Sequence, residues 1–204
     1  MSKERPIVFS GESVRAIIAG RKTQTRRVVT VKSDYPIIAA HEHFEPFTDS
    51  PKNDQSWTFD LQCEDRIFAK QGVRCPLGLI GDRLWVRENW AGIKTATHKG
   101  VWYQVDGKPT DPAPVGGGKW KASRYMPRWA SRLMLEVVSV RVERLHEMSH
   151  HDAHCEGVIM ESDDPLKQCG YKAGFKQSWD KLNKRRGFPW SSNPFVWVVE
   201  FKRL

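Results

Sequence analysis

Arg132-Leu133-Met134-Leu135-Glu136-Val137-Val138-Ser139-Val140-Arg141-Val142-Glu143-Arg144-Leu145 reads as one strand, yet its apolar face changes midway. Leu133, Leu135 and Val137 share one parity, whereas Val138, Val140 and Val142 share the other. A strand keeps one face buried across such a switch only if one residue is left unpaired. The pattern therefore predicts a β-bulge near Val137–Ser139, a device that curls a sheet toward closure. At the end of the chain, Phe195, Trp197, Val199 and Phe201 alternate on one face of a second strand. Arg26-Arg27-Val28-Val29-Thr30-Val31 opens another, and Arg83-Leu84-Trp85-Val86-Arg87 follows the turn signal Gly81-Asp82.

Helices frame these strands. Ser10 is placed as an N-cap with Glu12 in the first turn; Val14, Ile17 and Ile18 form an apolar stripe, and Gly20 stands where a left-handed C-cap is wanted. Ser149-His150-His151-Asp152 is a capping-box pattern opening a short helix that stops at Gly157. Phe175, Trp179 and Leu182 recur at helical spacing within Ala173–Asn183. The combination predicts an α+β fold: a small, strongly curved β-barrel flanked by helices, with residues 1–204 as one domain. Residues from about 32 to 77 and 91 to 123 read as two large loop insertions. The first is broken by Pro36, Pro46, Pro51 and Pro76, with Trp57–Leu61 as its one strand pattern. The second offers Val101-Trp102-Tyr103 as a strand and Gly116-Gly117-Gly118 as a flexible loop, which lacks the spacing of a phosphate loop.

The 204 residues carry a net charge of +9, which favours phosphates or anionic surfaces as partners, although a plain basic protein has the same balance. With 39% hydrophobic residues, including nine Trp and nine Phe, the chain can build a core. Its apolar runs, such as Phe195–Val199, fall far short of the roughly 20 residues a membrane span needs, and no leader pattern opens it. The four cysteines, Cys63, Cys75, Cys155 and Cys169, lack metal or disulfide spacing and read as reduced thiols in a cytoplasm. His150 and His154 lie one helical turn apart, and His41 and His43 are close in sequence. Without a third ligand at a recognisable spacing the reading is solvent-facing or capping histidines, with no metal and no cofactor.

Two segments carry candidate chemistry. In Ala19-Gly20-Arg21-Lys22-Thr23-Gln24-Thr25-Arg26-Arg27, an amine and a hydroxyl three residues apart can approach across a turn. Neighbouring cations push a lysine pKa down, and a neutral Lys22 could take a proton from Thr25 or from water. Solvated basic residues and a locally bonded threonine fit the same string. Trp120-Lys121-Ala122-Ser123-Arg124-Tyr125-Met126-Pro127-Arg128-Trp129-Ala130-Ser131-Arg132 interleaves aromatic and basic residues. Bases stacked on Trp120, Tyr125 and Trp129, with Arg124 and Arg128 on phosphates, would suit single-stranded nucleic acid. A wall of core aromatics with snorkelling arginines would suit it equally. Lys181-Leu182-Asn183-Lys184-Arg185-Arg186-Gly187 reads as a solvated helix end, with an extension of a phosphate track as the alternative.

Together with Gly81–Val86, Ala153-His154-Cys155-Glu156-Gly157 and Trp197–Phe201, the Ala19–Arg27 segment resembles the ASCH domain family. The likeness covers the first 30 residues and most of the chain after Gly78, and is to the longer ASCH-like proteins of bacteriophages and prophages. It implies a PUA-like β-barrel, a bacterial or phage-infected cytoplasm, and RNA or a modified nucleoside as partner. Small ASCH enzymes hydrolyse N4-acetylcytidine using a GxKTxT segment and a later glutamate. By that motif Lys22 would be the base, Thr25 the nucleophile or the hydroxyl that positions water, and Glu156 the group that orients or shuttles a proton. Arg21, Arg26 and Arg27 would then contact phosphate or support the site. A non-catalytic RNA or modified-DNA binding module and a ribonuclease are the alternatives.

Overall fold

In the computed structural model of the protein, residues 2–31, 37–43, 56–63, 66–94, 99–107, 119–159 and 169–204 are described. In chain order the elements are β1 (Glu4–Val8), α1 (Gly11–Ile18), β2 (Gln24–Val28), β3 (Ile37–His43), β4 (Ser56–Cys63), β5 (Arg66–Val73), β6 (Arg83–Arg87), β7 (Trp90–Lys94), β8 (Lys99–Tyr103), β9 (Met134–Arg144), α2 (His150–Cys155), α3 (Cys169–Asn183) and β10 (Phe195–Arg203). The fold is α+β, with a sheet-rich core and few helices.

The main sheet runs β1-β6-β9-β10-β2, with β1 parallel to β6 and the other neighbours antiparallel. The bulge falls where the parity switch puts it: Glu200 pairs with Ser139 and Phe201 with Val137. Val138 is skipped and left 40% exposed. The bulge lets Leu135, Val137 and Val140 all stay in one core with Leu84, Val86, Trp197, Val199 and Phe201, joined by Val14 and Ile17 of α1. Alternate residues of β10, Val196 and Val198, form a second core on the opposite face with Leu145, Met148, Ala153, Phe175 and Trp179, under α2 and α3.

Two expectations need correction. The sheet is not a closed barrel, because β1 and β2 stand at its two edges without a ladder between them. Pro6 sits in the middle of β1, and a residue with no N–H cannot feed a ladder on both sides, which confines such a strand to an edge. A side chain spans the gap instead: Arg27 Nη2 on β2 donates to the Val8 carbonyl of β1 at 3.2 Å.

The insertions, likewise, are not simply loops. The first contains the antiparallel sheet β3-β4-β5 and the second the hairpin β7-β8. Pro76 falls between β5 and β6, whereas Pro36, Pro46 and Pro51 lie outside the described residues. Trp57 and Phe59 of β4 are buried and meet Trp197 edge-on, at centroid distances of 6.3 and 5.9 Å. The first insertion thus adds aromatic mass to the main core. Gly116–Gly118 lie outside the described residues, and α3 begins at Cys169 rather than Ala173.

Candidate functional site

Lys22 and Glu156 are brought together by two helix exits. Ser10 caps α1, accepting from the Ser13 N–H, and the chain leaves past Gly20 at φ +74°. The Lys22 N–H then bonds Ala16 O at 3.1 Å. Ser149 and Asp152 form the capping box of α2, whose exit is Gly157 at φ +84°. A Cβ on Gly157 would stand 2.8 Å from Ala16 Cβ and 3.0 Å from Lys22 Cβ, so only glycine lets the two exits touch. An isolated β-bridge pairs Lys22 with Glu156, and the Thr23 N–H donates to Cys155 O at 2.9 Å.

Between them the Lys22 ammonium donates to Glu156 Oε2 at 2.6 Å and to Glu156 O at 2.8 Å. Both side chains are only 5% exposed. Burial holds the Lys22 pKa below the ordinary lysine value. Glu156 opposes that shift, while Arg27 and Arg26 add to it.

Thr25 and Arg27 lie on the inner face of β2, opposite Val199 and Trp197. The buried Thr25 hydroxyl oxygen accepts from Arg27 Nη1 at 3.0 Å. Arg27 also bonds the carbonyls of Arg26 and Val8, and its guanidinium lies 5.5 Å from the Phe9 ring centroid. Lys22 Nζ lies 5.8 Å from the same centroid, so the amine and the guanidinium share one aromatic neighbour. No hydrogen bond joins Lys22 to Thr25 among the described residues. Arg27 has no carboxylate within ion-pair distance among them either; burial lowers its pKa, with Glu156 opposing and Arg186 adding to the shift.

Arg26 points the other way and is fully occupied. Its side chain is 0% exposed and ion-pairs with Glu143 at 2.6 Å, Glu156 at 3.2 Å and Asp152 at 3.5 Å. Of the two roles expected for Arg26, phosphate contact or support of the site, these ion pairs are of the supporting kind. Arg26, Val198 and Arg141 stand in line across β2, β10 and β9. Glu143 and Asp152 each bridge the two guanidiniums, Arg141 lying 3.2 Å from Glu143 and 2.9 Å from Asp152. Arg141 also pairs with Glu200. Gln24 Nε2 donates to the carbonyl and Oδ1 of Asp152 at 2.7 and 3.1 Å. Burial would raise the Asp152 pKa, but bonds from Ser149, Gln24 and the nearby Arg26 hold it far below the usual carboxylate range. This ring locks α2 to the sheet and so fixes where Glu156 stands.

The other candidates lie elsewhere. Arg21 is exposed at the exit of α1, and Trp120 is half-buried. Arg124, Tyr125, Arg128 and Trp129 are exposed, and Arg128 ion-pairs with Glu4 at 2.8 Å. His154 packs edge-on against Tyr171, and His151 Nε2 is 3.4 Å from Cys155 Sγ. The side chains of His41, His43, Cys63 and Cys169 lie outside the described residues; Cys75 and Cys155 are free thiols. Among the described residues no group of three or more His, Cys, Asp or Glu is placed to hold a metal ion. None of them forms a helix long and apolar enough to cross a membrane.

Sequence reading missed Glu143, Arg141, Gln24 and Phe9, and gave Asp152 a capping role alone. The only signal for the first two was the charged parity of Arg141 and Glu143 after the bulge. Their meeting with Arg26 depends on the register of three strands. No family model matches the chain, and neither a curated protein nor a solved structure matches it.

Proposed function

We propose that the chain is an ASCH-type hydrolase, a single PUA-like domain that cleaves the exocyclic amide of an N4-acylated cytosine such as N4-acetylcytidine. The observation that carries this reading is the contrast between two neighbouring arginines. Arg26 is neutralised by three carboxylates. Arg27 meets only neutral oxygens among the described residues, one of them the Thr25 hydroxyl. A guanidinium left with surplus positive potential beside a hydroxyl and a buried lysine suits a reaction in which negative charge develops on oxygen.

In the proposed sequence the Lys22 ammonium passes a proton to Glu156 across their 2.6 Å contact once substrate is bound, leaving a neutral amine. That amine accepts a proton, directly or through one water, as the Thr25 oxygen or a water it positions attacks the acyl carbon. The tetrahedral oxyanion is stabilised by Arg27. Lys22 then returns the proton to N4 as the C–N bond breaks, giving cytidine. Acetate leaves directly if water attacked, or after a second water hydrolyses the threonine ester. Packing of Trp57 and Phe59 against Trp197 supports reading the first insertion as part of the same domain.

The test is acetate release from N4-acetylcytidine by the purified chain. Lys22→Ala and Thr25→Val are expected to lower the rate by about 100-fold or more. No acetate, or an unchanged rate in Lys22→Ala, refutes the reading.

A further inference from the structure

Tyr125 and Trp129 are 69% and 70% exposed, although aromatic side chains of this size ordinarily find cover in a monomer. They are held outward by the backbone. Two successive 3-10 turns, Ser123–Tyr125 and Arg128–Ala130, turn Met126 and Ala130 inward against Trp90, which leaves the residue before each facing solvent. The segment is firmly anchored. Lys121 exchanges backbone bonds with Trp90, Tyr103 Oη donates to Ala130 O at 2.9 Å, Ser131 Oγ donates to Val86 O at 2.9 Å, and Asn89 Oδ1 accepts from the Ser123 N–H. Rings preorganised in this way lose little freedom on binding.

Charge identifies the occupant. Three acids of this region are already neutralised: Glu4 by Arg128, and Glu88 and Asp106 by Arg132, at 2.8, 2.9 and 2.7 Å. Lys121, Arg124 and Arg87 have no carboxylate partner among the described residues. Each rests instead on an aromatic ring, Lys121 on Trp90 at 4.8 Å, Arg124 on Tyr125 at 5.6 Å and Arg87 on Trp85 at 4.4 Å. Arg87 is tied to the segment through a bond from Nη1 to Arg124 O, and its Nε is buried without a hydrogen-bond partner. Exposed π faces beside unopposed cations match alternating bases and phosphates, whereas an apolar protein surface would leave the cations unpaired.

We infer that this segment is a docking platform for a single-stranded oligonucleotide, with Tyr125 and Trp129 stacking on bases and Lys121, Arg124 and Arg87 meeting phosphates. The platform shares no residue with the proposed hydrolytic set and does not depend on its activity. The test is fluorescence anisotropy of a labelled 12-nucleotide oligouridylate titrated with the full chain over a range of salt. Tyr125→Ala and Trp129→Ala are each expected to weaken binding by about 5- to 150-fold. Lys121→Ala with Arg124→Ala should make the salt dependence shallower, by about 0.7 in log–log slope for each phosphate no longer neutralised. Trp129 also packs edge-on against Trp90 at 5.9 Å, so Tyr125→Ala, which leaves that packing intact, keeps the test valid if the tryptophan variant is unstable. The proposal is overturned by an absence of binding, by unchanged affinity in Tyr125→Ala, or by a 12-base-pair duplex binding as tightly as the single strand. It is equally overturned if Tyr125→Ala alters self-association while oligonucleotide affinity stays the same.

Discussion

Replacing Glu156 by Gln probes the buried pair with almost no change in shape. Arg26 keeps Glu143 and Asp152, so the loss falls on Lys22, whose remaining acceptor is the Glu156 backbone carbonyl at 2.8 Å. Removing one partner of a buried ion pair costs about 3–5 kcal/mol, because an uncompensated charge stays behind. At roughly 2–4 °C per kcal/mol for a chain of this size, the melting temperature should fall by about 10 °C. The deficit has a definite pH signature. The folded pKa of Lys22 lies below its ordinary value, so between that value and roughly 10.4 the unfolded chain binds more protons and stability rises with pH. Glu156→Gln lowers the folded pKa further and widens this window downward. The deficit should therefore be largest near neutral pH and narrow by pH 9.5, and Lys22→Met in the same background should recover most of it. Urea unfolding followed by tryptophan fluorescence at both pH values measures this directly. A loss under about 1 kcal/mol at pH 7, or a deficit that grows with alkali, refutes the account of Lys22 as a charge sustained by Glu156.

Two further outcomes follow from the same geometry. Gly157→Ala combines a left-handed backbone with contacts of 2.8 and 3.0 Å to Ala16 and Lys22. It should cost about 2 kcal/mol or more, seen in the urea midpoint, and should impair acetate release even at temperatures where the variant is folded. Burial pushes the Cys75 thiol up to about 11, so the native chain should resist iodoacetamide at Cys75 at pH 8 while the half-buried Cys155 is modified. Peptide mapping by mass spectrometry checks this, and alkylation of native Cys75 at the rate of the urea-unfolded chain would contradict it.

The parts of the fold legible in the sequence were those written in local periodicity. The parity switch at Val137–Val138 placed the bulge, and Ser10, Gly20, Ser149 and Gly157 marked their helix ends. In the insertions the patterns at Trp57–Leu61 and Val101–Tyr103 mark β4 and β8, whereas their partners β3, β5 and β7 carry no such alternation and show only through pairing. The Lys22–Glu156 contact was suggested by motif alone. Its geometry depends on a bridge between residues 134 apart in sequence, a separation over which local pattern carries no information. The same limit leaves both roles of Arg26 open in the sequence: a basic residue in a strand reads as a ligand contact or a structural one until β9 supplies Glu143 and α2 supplies Asp152.

The gap between β1 and β2 has a mechanical consequence. Neighbouring strands of the main sheet are held by runs of backbone hydrogen bonds, whereas its two edge strands, β1 and β2, are joined by the Arg27 guanidinium on the Val8 carbonyl among the described residues. One such charged bond contributes roughly 1.5–3 kcal/mol. A group that displaced Arg27 from the Val8 carbonyl would break that one side-chain bond and leave every strand ladder intact.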